Sequence, residues 1–199
     1  MKNAKGIEVL KDLPEGENQR IAELFWEAFG SKYKSLYINK DQGIAIVRDS
    51  LRFDQGLYAC LSNRVVGFLG FHYGSHRFTD FRFDVFRRQF SLPGALLRFS
   101  ILTTFLPGRI KEPGEIRIDS VAVDSELRGK GIGTTLIEEA ISLAKKMGFR
   151  SIRLEVIDSN ERAKKLYERL GFKTAKYVNF GILARGAGFS GEYVMRRYL

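Results

Sequence analysis

The stretch "EIRIDSVAVDSELRGKGIGTTLIEEAI", residues 115–141, decides the fold. Its first nine residues alternate, which predicts a strand with Glu115, Arg117, Asp119, Val121 and Val123 on one face. Three glycines then follow within five residues, Gly129, Gly131 and Gly133. After them Ile132, Leu136, Ile137, Ala140 and Ile141 fall at helical spacing, and the helix runs over 132–147 to a Gly148 C-cap. Glycine costs backbone entropy, so a loop built from it needs a bare main chain. At the start of a helix that main chain offers unpaired N–H groups and a positive dipole end. Arg128 and Lys130 add charge, and an anion, above all a phosphate, is the ligand such a loop fits.

Two further segments follow the same grammar. "SIRLEVI" reads as a strand, and "SNERAKKLYERLGF" as a short helix capped by Ser159 or Asn160 and stopped by Gly171. Strands at 173–180 and 192–197 close the chain. Upstream, 7–10 alternates as a first strand, and 17–33 carries Ile21, Leu24, Phe25, Ala28 and Phe29 at helical spacing. A weaker helix covers 41–52. "QGLYACLSN" and "RVVGFLGFHYG" read as a hairpin turning at Ser62-Asn63-Arg64. A mixed sheet with helices on both faces follows.

The segment 77–111 is the hardest to read. Seven phenylalanines mix with Arg82, Arg87, Arg88 and Arg98, and Pro93-Gly94 and Pro107-Gly108 break it. It reads as a pair of amphipathic helices. These either pack on the core or serve as a lid, a dimer face or a membrane-touching element.

Composition narrows the function. The 199 residues, 44% hydrophobic and 28% charged, suit one soluble domain, 1–199, with 77–111 as an insertion or lid. Cys60 is the single cysteine, so no intramolecular disulfide forms, and a reducing cytoplasm is expected. His72 and His76 are the only histidines, and no metal-ligand spacing occurs, so no metal is expected. No signal peptide is expected at the N-terminus, and no apolar run is long enough to span a bilayer. Net charge is +10. The basic residues are scattered and no RNA-binding signature accompanies them, which argues against nucleic acid and leaves a solvated surface or an anionic ligand.

Among phosphate loops, the Walker string G-x-x-x-x-G-K-[ST] is absent, and the third glycine is misplaced for a dinucleotide fingerprint. The string Arg128-x-x-Gly131-x-Gly133 after Val121-Ala122-Val123 instead resembles the acetyl-CoA motif of the GNAT family of N-acetyltransferases. A second motif of that family matches Asn160, Ala163, Leu166, Tyr167 and Leu170-Gly171-Phe172. The resemblance is close over 115–173. It implies an α/β fold of mixed α+β type, a twisted mixed sheet of six or seven strands with helices on both faces. It also implies acetyl transfer from acetyl-CoA to a primary amine. Backbone N–H groups of Arg128, Gly129, Lys130, Gly131, Ile132, Gly133 and Thr134 would hold the pyrophosphate. The main chain of Val121, Ala122 and Val123 would pair with the pantetheine arm. Asn160 and Ala163 would meet the cofactor arm, and Tyr167 would lie near the thioester sulfur.

Direct transfer needs a base, an oxyanion site and an acid. Tyr167, with an ordinary phenol pKa of about 10, suits protonation of a thiolate whose conjugate acid is near 8.5–9. Glu115 is nominated as base on the resemblance, with Asp119 or a water chain as alternatives. The acceptor stays open between a small molecule, a protein N-terminus and a lysine. Dimers are common in the family, so a homodimer is open too. Two other functions compete: a non-catalytic acyl-CoA-binding regulatory domain, and a basic RNA- or ribosome-surface protein.

Overall fold

The computed structural model describes residues 6–105, 112–181 and 188–199. The turn signal Pro107-Gly108 and the first five residues lie outside them. In chain order the elements are β1 (Ile7–Leu10), α1 (Asn18–Phe29), α2 (Lys40–Ser50), β2 (Gly56–Leu61), β3 (Arg64–Tyr73), β4 (His76–Arg77), α3 (Phe83–Gln89), α4 (Leu92–Phe105), β5 (Glu115–Val123), α5 (Ile132–Lys146), β6 (Ser151–Ile157), α6 (Glu161–Arg169), β7 (Lys173–Asn179) and β8 (Gly191–Tyr198). The sheet runs β1-β2-β3-β5-β6-β8-β7, and the two-residue β4 pairs with β3 to make eight strands. That is one more than the sequence predicts, because β4 is too short to carry a pattern.

The elements form where the local chemistry directs. Asn39 caps α2 by accepting from the Gln42 N–H at 2.9 Å, and Gln42 reaches back to the Asn39 N–H, a capping box. Ser62 and Asn63 both hold positive φ, 50° and 63°, and close the β2–β3 hairpin as a two-residue turn. The helix expected over 17–33 is α-helical only to Phe29, then tightens into a 3-10 segment, Gly30–Leu36. Gly30 sits so close beneath the Trp26 ring that a Cβ there would stand 3.0 Å from it.

Two apolar layers sandwich the sheet. On one face, α5 buries Ile132, Leu136, Ile137, Ala140, Ile141 and Ala144 against Ile116, Ile118, Ile152, Leu154 and Val156. On the other, α1 and α2 bury Ile21, Leu24, Phe25, Ile44 and Val47 against Tyr58, Cys60, Val65, Phe68 and Ala122. The sole cysteine is one of these buried packing residues. At roughly 1.5–3 kcal/mol for each fully buried large aliphatic, these layers are the main stabilising term. Of the segment 77–111, the described residues form α3 and α4. They pack with Leu36 and Ile46 in a third cluster over the α1–α2 layer.

One expectation fails inside β5. Strict alternation places Val121 and Val123 beside Glu115 and Arg117. In the structure Val121 and Val123 pack with Ile116 and Ile118 on the α5 face, while Ala122 faces α1. A bulge is the cause. Gly70 of β3 pairs Ser120 and Phe71 pairs Ile118, so Asp119 is the extra residue. An inserted residue reverses the alternation beyond it.

Candidate active site

β5 and β6 are parallel neighbours, yet their ladder has only three rungs: Glu115–Ser151, Ile116–Ile152 and Arg117–Arg153. Beyond Arg117, β5 stays paired to β3 up to Val123, and β6 stays paired to β8 up to Ile157. The sheet therefore splits into a V. Alternate main-chain N–H and C=O groups of the two strands point into the gap.

Side chains explain where the split begins. Arg117 and Arg153 stand directly opposite on one face of the last rung, and like charges so placed destabilise a ladder. Each guanidinium turns instead to a carboxylate further along its own strand. Arg117 Nη2 donates to Asp119 Oδ1 at 2.8 Å, and Arg153 Nη2 lies 2.6 Å from Glu155 Oε1. Weaker crossings, Arg117 to Glu155 at 4.0 Å and Arg153 to Glu115 at 3.9 Å, brace the vertex. Arg117 is only 3% exposed, so these charges are held in a poorly solvated site.

Above the vertex sits the glycine loop. Asp124 turns the chain, accepting from the Glu126 N–H at 3.0 Å and pairing with Arg20 of α1. The Asp124 N–H donates to the Val66 carbonyl at 2.9 Å, tying the loop to β3. Arg128 Nε donates to the Val123 carbonyl at 3.1 Å, so this arginine braces the end of β5. Gly129 and Gly131 have φ of 84° and 91°, conformations L side chains resist. Gly133 lies inside the first turn of α5, where a Cβ would meet nothing closer than 3.9 Å. Gly131 is the N-cap, no side chain caps α5, and its first turn holds no acidic residue. The leading N–H groups of α5, from Ile132 through Thr134, are thus left for a ligand.

The second expected motif lies on α6. Asn160 Oδ1 accepts from the Ala163 N–H at 3.1 Å, so it is a helix cap. Ala163 and Tyr167 pack against the α5-face core that also takes up Val121 and Val123. The Tyr167 ring lies 6.1 Å from that of Phe172, and burial pushes its phenol up to about 12. One contributor was missed by sequence reasoning. Arg162 reaches back from α6 until its Nη2 is 3.1 Å from where a Gly129 Cβ would stand, bringing a second helix's cation to the loop. Only its place two residues after the Asn160 cap signals this.

The opposite face of the V is polar. Burial, helped by the Asp119 carboxylate, holds the Tyr33 phenol well above its usual range, so Tyr33 lies within electrostatic reach of the bulge. His72, fully buried, is the β3 partner of Arg117. Burial and the Arg117 and Arg77 cations lower it to about 4, so it is neutral at pH 7. Glu115 is placed differently from the other nominated residues. It is 3% exposed, bonded to Arg196 Nε at 2.6 Å and to Ser151 Oγ at 3.4 Å, within the rungs that stay paired. Asp119 is the carboxylate at the opening.

Both the sequence and the fold have relatives among known proteins. An uncharacterised N-acetyltransferase of Methanocaldococcus jannaschii is 46% identical over 61 residues, 31% of this chain and 27% of the relative. Thialysine N-epsilon-acetyltransferase of Bos taurus is 39% identical over 56 residues, 28% of this chain and 33% of the relative. The chain thus spans about a quarter to a third of the length of these curated relatives. The crystal structure of an N-acetyltransferase from Staphylococcus aureus Mu50 superposes with a TM-score of 0.64 at 18% identity, covering 96% of this chain and 100% of that one. It shares the fold. The family model described as the acetyltransferase (GNAT) family matches residues 18–172, well over half of the sequence, and the chain belongs to that family.

Proposed function

We propose that this protein moves an acetyl group from acetyl-CoA to a primary amine by direct transfer. The observation that carries the reading is the β5–β6 gap, continuous with the uncapped N-terminus of α5. A long, flexible thioester with a diphosphate fits that combination. The arm would take the main-chain groups of Val121–Val123. The diphosphate would take the loop N–H groups from Arg128 to Thr134, with Lys130 and Arg162 as cations.

The acceptor would enter from the Tyr33 side, where Asp119 stands at the vertex. An alkylamine arrives as ammonium and must lose a proton before attack. Asp119, with Oδ1 fixed by Arg117, accepts that proton directly or through a water. As the C–N bond forms and the C–S bond breaks, Tyr167 gives its proton to the departing sulfur. Glu115, engaged by two arginines, holds the vertex together. Cys60 as the sole cysteine supports a cytoplasmic setting.

Thermal shift with acetyl-CoA against ATP and NAD tests the binding half. A ligand at a hundred times its dissociation constant adds about 2.7 kcal/mol. Stabilisation by acetyl-CoA alone is expected, and none at millimolar supply rejects the site. Release of free thiol in the presence of an amine panel tests turnover and separates an enzyme from a binding domain. Asp119→Asn should cut kcat about a hundredfold or more while acetyl-CoA still binds. Full activity in that variant removes Asp119 as the base.

A further inference from the structure

The first half of α4 is apolar on the side that points away from the core, and Ser100 and Thr103 are exposed further along it. Inward, Ala95 and Leu102 are buried with Val85 and Phe86. Outward, Leu92, Leu96 and Leu97 are 52%, 51% and 62% exposed. Tyr37, at 85%, lies beside them, its carbonyl accepting from Arg98 Nη2 at 3.5 Å. These four are the majority of the seven large hydrophobics exposed among the described residues, so their exposure is concentrated rather than scattered. Exposed apolar side chains gathered in one patch mark an interaction surface.

Charge indicates the kind of cover. The described residues 77–105, which carry α3 and α4, hold five Arg and two Asp, a net +3, and Arg82, Arg87 and Arg88 are exposed on and beside α3. A second copy docked on this face would bring that excess against itself, because a two-fold interface pairs a patch with the same patch. The leucines project from one exposed helix instead of lining a groove, which is poor geometry for gripping a peptide. Fourteen residues make about 21 Å of helix, too short to span a bilayer but suited to lie along one.

We propose that the outer face of α4, with Tyr37, docks on the surface of a bilayer bearing anionic lipid. The leucines enter the headgroup–acyl boundary while Arg98 of the same helix and the exposed arginines of α3 meet the phosphates. This inference stands on the surface alone and does not depend on the acetyl-transfer reading.

Co-sedimentation tests it, using vesicles of phosphatidylcholine alone or mixed with phosphatidylglycerol. The wild-type chain should pellet with the mixed vesicles, weakly or not at all with phosphatidylcholine, and less as salt rises. The double variant Leu96→Glu/Leu97→Glu should bind about tenfold or more weakly with an unchanged melting temperature. Leu97→Trp keeps the face apolar and should gain a blue-shifted emission on mixed vesicles, beyond the background from Trp26. Absence of vesicle binding, equal binding by the double variant, or no shift from the new tryptophan would each overturn the proposal. So would a wild-type dimer, lost in the double variant, in a chain that ignores vesicles. That outcome would give the face to a second copy.

Discussion

Replacing Tyr167 by Phe removes one oxygen and leaves the ring on Phe172 in place, so it tests the acid role without opening the core. Burial lifts the phenol from its ordinary 10.0 to about 12. The folded chain therefore binds more protons than the unfolded chain between those values. The stability this provides is complete below pH 10 and disappears as pH rises through 12. Two units amount to about 2.7 kcal/mol at the limit and roughly half of that by pH 11. Urea unfolding of wild type and Tyr167→Phe at pH 8 and pH 11 reads the difference directly. The wild type should lose about 1.4 kcal/mol relative to the variant. Tyr33 and Tyr58, also raised by burial, cancel in the comparison. The same shift shapes the chemistry. A phenol near 12 is a weaker acid than the departing thiol, so giving up its proton costs about 4 kcal/mol, and the phenolate must regain a proton from solvent before the next cycle. Turnover should fall about 10²–10⁴-fold in the variant, with acetyl-CoA affinity unchanged. An alkaline limb near pH 10 in the wild type that vanishes in Tyr167→Phe would refute the burial argument. Undiminished turnover would refute the acid assignment.

The loop and the vertex yield two more expectations. Gly131→Val puts a β-branched residue at φ 91°, a strain of roughly 1–3 kcal/mol, and walls off the α5 N–H groups. Acetyl-CoA affinity by titration calorimetry should drop more than about tenfold, and an unaltered affinity would count against the loop as the phosphate site. His72 titrates in the opposite sense to Tyr167. Its folded pKa of about 4 lies below the ordinary 6.5, so the stability it allows is present above pH 6.5 and lost as pH falls through 4. The loss amounts to about 3 kcal/mol. His72→Asn should flatten the decline of urea midpoints between pH 7 and 4. An equally steep decline would place the acid sensitivity elsewhere.

What the sequence made legible is what local chemistry decides. The glycine loop, the apolar stripe of α5, the Asn160 cap and the Ser62-Asn63 turn each depend on residues a few positions apart, and each stands where the pattern predicts. What it concealed depends on partners distant in the chain. The bulge at Asp119 is fixed by the register of β3 on β5; its one mark in the sequence is the polar pair Asp119-Ser120, across which the large apolar residues shift from positions 116 and 118 to 121 and 123. Arg162 is an ordinary surface arginine until α6 packs beside the loop. In 77–111 the phenylalanines follow no single face, because Phe86 and Phe99 meet each other while Phe90 takes Arg98 across its ring. The most consequential hidden feature is the opposition of Arg117 and Arg153. Each reads singly as one charge in an alternating strand. Only the parallel register sets them face to face, and only then do Asp119 and Glu155 become the carboxylates that draw them apart along their own strands. One set of charges thus stands where the ladder ends, beside the gap proposed for the thioester arm, and holds the candidate base at its vertex. The position of the site is written into the charge pattern of two strands, and it becomes readable only once their pairing is known.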